Sequence, residues 1–452
     1  MSRHRRKKNG FPLVTLLLLL LIILSATALV LHFNDPGEPQ LKLPTDSTAP
    51  VTEPQEEITE PPTTVPTEPP VTLVATAEIS ATGEMLMHLP CINAAKTGSG
   101  YDFTPFFTHL KSYIQAADYA VANLETTLAG TAYKYSGYPA FNCPDQIVDG
   151  VKDTGFDMLL TANNHCYDTR TKGFHRTLEV LNGAGMDHLG TVDSQEEAQY
   201  LVKDINGIRV GMVCYTYEDN ADPQVMAPNG ITMSNADEVL INTFYNNDLD
   251  TFYTRIQGQI NEMKEAGAEA IVLYIHWGVE YQLKENETQN TIAQKMCDLG
   301  VDVIVGGHPH VVQPMELLTS TTDETHKTLC IYSVGNALSN QRRDLMRLDT
   351  GHTEDGIVFN FTFSKYSDGT VRVESADVLP TWVYKYRSGG KDAYSVYPLD
   401  DQVEDWKTAF DMSSTVEKEA RASYDRTMKI VGDGLTQIQN HLSALPPIAE
   451  TP

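Results

Sequence analysis

The chain has 452 residues, 41% hydrophobic and 21% charged, ordinary for a globular protein with a sizeable core. Its formal net charge of −27 argues against non-specific affinity for nucleic acid or anionic lipid. An anionic substrate would need local help, such as a metal ion. Six cysteines (91, 143, 166, 214, 297 and 330) form no C-x-x-C pair, which argues against a zinc ribbon.

Residues 1–10 carry Arg3, Arg5, Arg6, Lys7 and Lys8 and read as a cytoplasmic basic segment. Residues 11–33 are nearly all apolar, long enough to cross a bilayer, and predict a single transmembrane signal-anchor with everything beyond it extracytoplasmic. The alternative is a signal peptide cleaved after Ala26-Thr27-Ala28. The anchor is preferred because Leu29, Val30 and Leu31 continue the apolar run past that site. Residues 34–71, rich in Pro, Thr and Glu, read as a disordered stalk or a plain linker.

Residues 72–385 alternate between strand-like and helix-like segments. Leu73–Ala81 is strand-like and leads into Gly83-Glu84. Tyr119–Leu124 is a strand ending at Glu125, and 145–154 a helix. A short strand over 158–161 runs into Asn163-Asn164-His165. An amphipathic helix over 173–184 stops at Gly185. Residues 200–217 read as a hairpin about Asn206-Gly207. A helix over 251–266 precedes a strand over 270–275 that ends at His276. Another over 287–299 precedes a strand over 301–305 that ends at Gly306-Gly307-His308-Pro309-His310. Antiparallel strands follow over 356–363 and 371–378, and 403–435 reads as a polar helix within a C-terminal flank and tail, 386–452. Such alternation implies an α/β core, in which ligands bind beyond the carboxyl ends of strands.

The polar residues at those ends form one constellation. Glu84, Glu125, Asn164, His276, His308 and His310 supply a mixed oxygen and nitrogen set large enough for two divalent cations, suited to Mn, Fe or Zn better than to Ca or Cu. Two such ions could hold hydroxide and clamp a phosphoryl or acyl oxygen. His165 is the candidate general acid. Asp168 either orients His165 or caps the next helix. Glu280 either orients an imidazole or faces solvent. Cys166, Cys214 and Cys330 read as structural thiols, and His88 as a local residue one turn past Glu84 if that segment is helical.

Together, Gly83-Glu84-Met85-Leu86, Asn123-Leu124-Glu125, Phe141-Asn142-Cys143-Pro144, Gly155-Phe156-Asp157, Asn163-Asn164-His165 with Asp168, His276-Trp277-Gly278 with Glu280-Tyr281, Gly307-His308-Pro309-His310 and Tyr332-Ser333-Val334-Gly335-Asn336 resemble the CapA family of capsule and poly-γ-glutamate biosynthesis proteins. The resemblance runs from about Ala75 to Asn340. It implies a four-layer α/β/β/α metallophosphoesterase-like sandwich and a membrane-anchored extracytoplasmic role in making or exporting an anionic cell-envelope polymer. It also implies metal at Glu84, Glu125, Asn164, His276, His308 and His310, with His165 as the acid. Membrane polymer-synthesis proteins would be partners. Two positions depart from the family pattern: Glu84 stands where Asp is usual, and Arg170 where Gly is usual. The expected function is a metal-dependent hydrolase of a phosphoester or γ-amide. The alternative is a non-catalytic accessory subunit with a structural or degenerate metal site.

Overall fold

The computed structural model describes residues 71–218, 225–346 and 348–445. The expected basic segment, anchor and stalk lie outside them, apart from Val71. No helix among the described residues is long and apolar enough to cross a membrane.

Two sheets organise the described chain. The first contains β1 (Leu73–Met85), β2 (Tyr119–Asn123), β3 (Met158–Leu160) and β4 (Asp187–Leu189), all parallel. The second contains β5 (Leu201–Ile205), β6 (Ile208–Glu218), β7 (Thr243–Tyr245), β8 (Ala270–His276), β9 (Val303–Gly307), β10 (Met315–Thr319) and β11 (Lys327–Ile331). It runs β10-β11-β9-β8-β6-β5, and β7 pairs with β6. The chain then returns to the first sheet through β12 (Asn336–Leu338), β13 (Asp355–Tyr366), β14 (Val371–Ser388) and β15 (Lys391–Pro398), giving the order β15-β14-β13-β1-β2-β3-β4 with β12 beside β1.

Side-chain alternation along the strands builds the layers, because successive residues face opposite sides of a sheet. Ala77, Ile79 and Ala81 of β1 meet Val272 and Tyr274 of β8 in a core shared by both sheets. Ile271, Leu273 and Ile275 point the other way, against α3 (Leu249–Glu265) and α4 (Glu287–Asp298). Ala120 and Ala122 of β2 face α1 (Gln146–Thr154) and Leu181 of α2 (Arg170–Ala184). The order of packing is helix, sheet, sheet, helix. Each fully buried large apolar side chain contributes roughly 1.5–3 kcal/mol.

The local signals act as their chemistry requires. Asn206 and Gly207 both take positive φ, 54° and 89°, and join β5 to β6 in a two-residue turn. Gly185, at φ 62°, stops α2. Asn286 and Gln289 form a reciprocal capping box at the start of α4.

Three expectations about the C-terminal part need correction, and a condition left open after Glu84 is settled. Residues 403–435 are not one helix: a four-residue turn of helix at Trp406–Ala409 precedes α5 (Ser414–Ser443), whose start is set by Ser413 accepting from the Val416 N–H. Nor is this helix a flank. Val431, Leu435, Ile438 and Leu442 enter the core between the sheets, and the absent side chain of Gly434 admits the Met315 carbonyl, which a Cβ would meet at 2.0 Å. The boundary expected between 385 and 386 falls inside β14, whose register continues into β15. Finally, β1 extends through Met85, so Glu84 to His88 is not helical. His88 lies just before the helix Leu89–Ala94.

Candidate metal centre

Parallel pairing brings the carboxyl ends of β1, β2, β3, β8 and β9 together. Glu84 lies in β1, Glu125 two residues past β2, Asn164 and His165 just past β3, His276 at the end of β8, and His308 next after β9. All six expected ligands are buried, Asn164 being 9% exposed and the others less.

Ligand atoms of Glu125, His276 and His308 lie within 4.8 Å of one another. His276 Nε2 is 3.6 Å from Glu125 Oε1, 3.2 Å from His308 Nδ1 and 2.9 Å from Asn164 Oδ1. His310 Nε2 reaches the same Glu125 oxygen at 3.9 Å from another side, with its Nδ1 at 3.1 Å from Asn336 Oδ1. Glu84 Oε1 accepts the His308 backbone N–H at 2.5 Å. Backbone shape makes this convergence possible. His308 and His310 take φ of 96° and 56°, a region unfavourable for residues with a Cβ, which turns both rings inward about Pro309. Gly307 leaves room for Glu84, whose Oε1 would lie 2.5 Å from a Cβ at that position.

The donor chemistry fits divalent cations. Among the described residues, Glu84 Oε2 and both oxygens of Glu125 are buried without a hydrogen-bond partner, and Glu125 Oε1 lies 3.6 and 3.9 Å from the His276 and His310 imidazoles. For metal bonds of about 2.1 Å, neighbouring ligand atoms in a coordination shell lie about 3.0–3.4 Å apart, close to the spacings about His276. Burial pushes the Glu84 carboxyl up to about 7 and Glu125 well above the ordinary range, the latter helped by the Glu84 charge. Burial drives the His308 imidazole down to about 3 and His276 and His310 well below normal. The histidines therefore present neutral nitrogens, the form that can ligate a metal.

Beside the ligands, His165 Nδ1 lies 2.9 Å from Asp168 Oδ2, and the ring meets Phe141 edge to face at 4.6 Å. The open choice for Asp168 resolves here: it faces His165 and accepts the Phe141 N–H at 2.6 Å, while Thr169 holds the position before α2. Arg170 is exposed, at φ 62°. Glu280 stands 3.9 Å from His310 Nε2 with its side chain half exposed. Cys166 is buried, and burial raises its thiol well above normal, which suits a structural residue. All six cysteines are buried and free.

Sequence reasoning missed two neighbours. Asn229 donates to Asp168 Oδ1 at 2.8 Å and to the Pro139 carbonyl at 2.7 Å, 3.3 Å from His165 Nδ1. Its signal was Pro228-Asn229-Gly230, a turn tripeptide that puts Asn229 at φ 51°. Tyr217 packs its ring 4.6 Å from His308 and parallel to His276 at 6.3 Å. Nothing in an apolar strand distinguished that tyrosine.

Fold and centre define a two-sheet α/β protein with a buried carboxylate–imidazole cluster at the strand ends. Residues 78–341, more than half the chain, match the family model described as Bacterial capsule synthesis protein PGA_cap, and the chain belongs to that family. It is 27% identical over 242 residues to the Capsule biosynthesis protein CapA of Bacillus anthracis, covering 52% of this chain and 54% of that one. It is 26% identical over 276 residues to the PGA biosynthesis protein CapA of Bacillus subtilis (strain 168), covering 60% and 64%. The aligned part thus spans between half and two thirds of these relatives.

Proposed function

We propose that this CapA-family protein is a metal-dependent hydrolase acting on a phosphoester or γ-amide of an anionic cell-envelope polymer or its precursor. In this reading residues 11–33 anchor it in the membrane, the folded part is extracytoplasmic and related to the metallophosphoesterases, and membrane polymer-synthesis proteins are its partners. The family membership and the relatives' names support the polymer. The observation that supports hydrolysis is the set of buried carboxylate oxygens of Glu84 and Glu125 without hydrogen-bond partners in the cluster where Glu125 approaches His276, His308 and His310.

Glu125, His276 and His308 would hold one cation, and Glu84, Asn164 and His310 are the further buried donors available for a second. When bound, such ions polarise a phosphoryl or acyl oxygen and acidify water. The chain's own residues do the rest. Asp168 Oδ2 accepts from His165 Nδ1 and fixes the ring, leaving Nε2 to pass a proton to the leaving oxygen or nitrogen. Asn229 holds Asp168 from its other oxygen. The strand-end loops bury the centre and keep bulk water from it.

A second reading, an accessory subunit with an altered metal site, has one observation in its favour: Glu84 Oε1 already takes the His308 N–H at 2.5 Å, leaving one of its oxygens for metal. Metal analysis of the purified chain, followed by assay of a chromogenic phosphodiester and of poly-γ-glutamate, separates the two. The hydrolase reading expects about two ions per chain and turnover that His165→Ala reduces by 100-fold or more. Metal without turnover leaves the accessory reading, and no metal after Mn²⁺ or Zn²⁺ loading ends the hydrolase reading.

A further inference from the structure

A cavity of about 490 Å³ opens against Asn164 and His165 and is walled by Tyr138, Tyr217, Glu218 and Glu280. No Lys or Arg is among the described residues that line it. A pocket shaped for a chain of carboxylates or phosphates would present guanidinium or ammonium donors. This one presents two carboxylates and two aromatic rings.

Position makes the carboxylates matter. Glu280 Oε1 is 3.9 Å from the same His310 Nε2 that lies 3.9 Å from Glu125 Oε1, so it adjoins the centre while its side chain stays 45% exposed to an incoming group. Glu218 is buried at the cavity wall, with one oxygen accepting the Ala227 N–H at 2.9 Å. Tyr138 stands 79% exposed at the mouth. Asp168 is committed to His165 and one Glu218 oxygen to the Ala227 N–H, whereas Glu280 is the carboxylate of this cavity whose side chain is half exposed. Oxygen acceptors beside aromatic faces form the environment that holds a primary ammonium, which has three donors and no acceptor.

We propose that this cavity receives a primary ammonium group, with Glu280 as its charge partner, so that the substrate is presented to His165 by its amino-bearing end. The shared chemistry is an alkylammonium next to the bond to be cut. It could come from the free amino end of a γ-linked acidic chain or from an amino sugar. The proposal rests on the reading of the centre given above but not on turnover.

The test is calorimetric titration of the full chain, with and without Mn²⁺, using four probes: a γ-linked tetraglutamate with a free amino end, its N-acetyl form, glucosamine and N-acetylglucosamine. At least one free amine should bind ten-fold or more tightly than its acetylated partner. Which pair discriminates identifies the source. In Glu280→Gln the ratio should fall below about two-fold, and Glu280→Lys, a change at a half-exposed site, should bring it to one or below. Free and acetylated forms binding equally, no binding of either amine, or a ratio unchanged in both variants would each overturn the proposal. Amine discrimination without hydrolysis would sink the hydrolase reading alone. Phosphodiester hydrolysis without amine discrimination would sink this inference alone.

Discussion

Two buried glutamates in this protein are treated in opposite ways. Glu354, 1% exposed, is ringed by donors: Arg343 Nη2 at 2.6 Å and Nε at 3.0 Å, Arg342 Nη2 at 3.3 Å, and Trp382 Nε1 at 3.3 Å. Burial acts to raise its carboxyl, but the Arg343 hydrogen bond and Arg342 charge outweigh it and hold it below the ordinary value. Glu125, equally buried, has no donor on either oxygen, and burial with the Glu84 charge drives it the other way. The first arrangement is complete within the protein; the second leaves both oxygens without a donor among the described residues. A buried carboxylate speaks for function when its oxygens lack partners, not merely because it is buried.

The contrast can be tested from its strongest side. Glu354→Ala leaves two guanidinium groups without their carboxylate and should lower unfolding free energy by about 3–5 kcal/mol, read from the urea midpoint. Glu125→Gln in the metal-free chain should cost far less, or stabilise, because it replaces a carboxyl that burial already disfavours in its charged form, and that no donor offsets, with a neutral amide of the same shape. Equal losses in the two variants would break the comparison.

The pH response should differ next. The folded Glu84 carboxyl keeps its proton up to about 7, against an ordinary value of 4.5. Between those values folded Glu84 holds a proton that the unfolded residue has lost, so its own contribution to metal-free stability should fall as pH rises through that window, by on the order of 3 kcal/mol, while the depressed His276, His308 and His310 contribute in the opposite direction up to their ordinary value of 6.5. Glu84→Gln should remove that contribution, so that the stability difference between variant and parent grows in the variant's favour as pH rises from 4.5 to about 7. Over the same window Mn²⁺ should bind more tightly as pH rises and release protons, which calorimetry in buffers of different ionisation enthalpy would count. Affinity that tracks only an ordinary histidine titration would contradict the depressed His276, His308 and His310.

Ligand removal comes third. His308→Ala should weaken metal binding by about 100-fold, roughly 2.7 kcal/mol, with a far-ultraviolet spectrum unchanged. The smallest effect is expected at Asn229→Ala, which removes one donor to Asp168 and should lower kcat/KM about five-fold, near 1 kcal/mol. A pH–rate profile shifted in that variant would distinguish positioning of His165 from loss of loop stability.

Much of this was legible in the chain. Unbroken apolar runs such as Ala270–Ile275 announced buried parallel strands, and a polar residue where each run stopped marked the end at which the candidate ligands gather. His276, His308, Glu84 and Asn164 were readable because strand and breaker chemistry is local: β-branched runs, glycine pairs and the Asn206-Gly207 turn act within a few residues.

What remained depended on contacts between distant segments. Asn229 lies 61 residues from Asp168 in sequence and was invisible until the loop crossed over it. The polar look of 403–435 concealed a helix whose inward stripe of Val431, Leu435 and Ile438 closes the space between the sheets. By itself, then, the sequence determined the strand ends, the turns and the identity of the donors, because those follow from short-range sterics and hydrophobic periodicity. Only the tertiary structure decided which carboxylates find guanidinium partners and which are left open beside histidines, because that is settled by burial and by neighbours the chain meets only after folding.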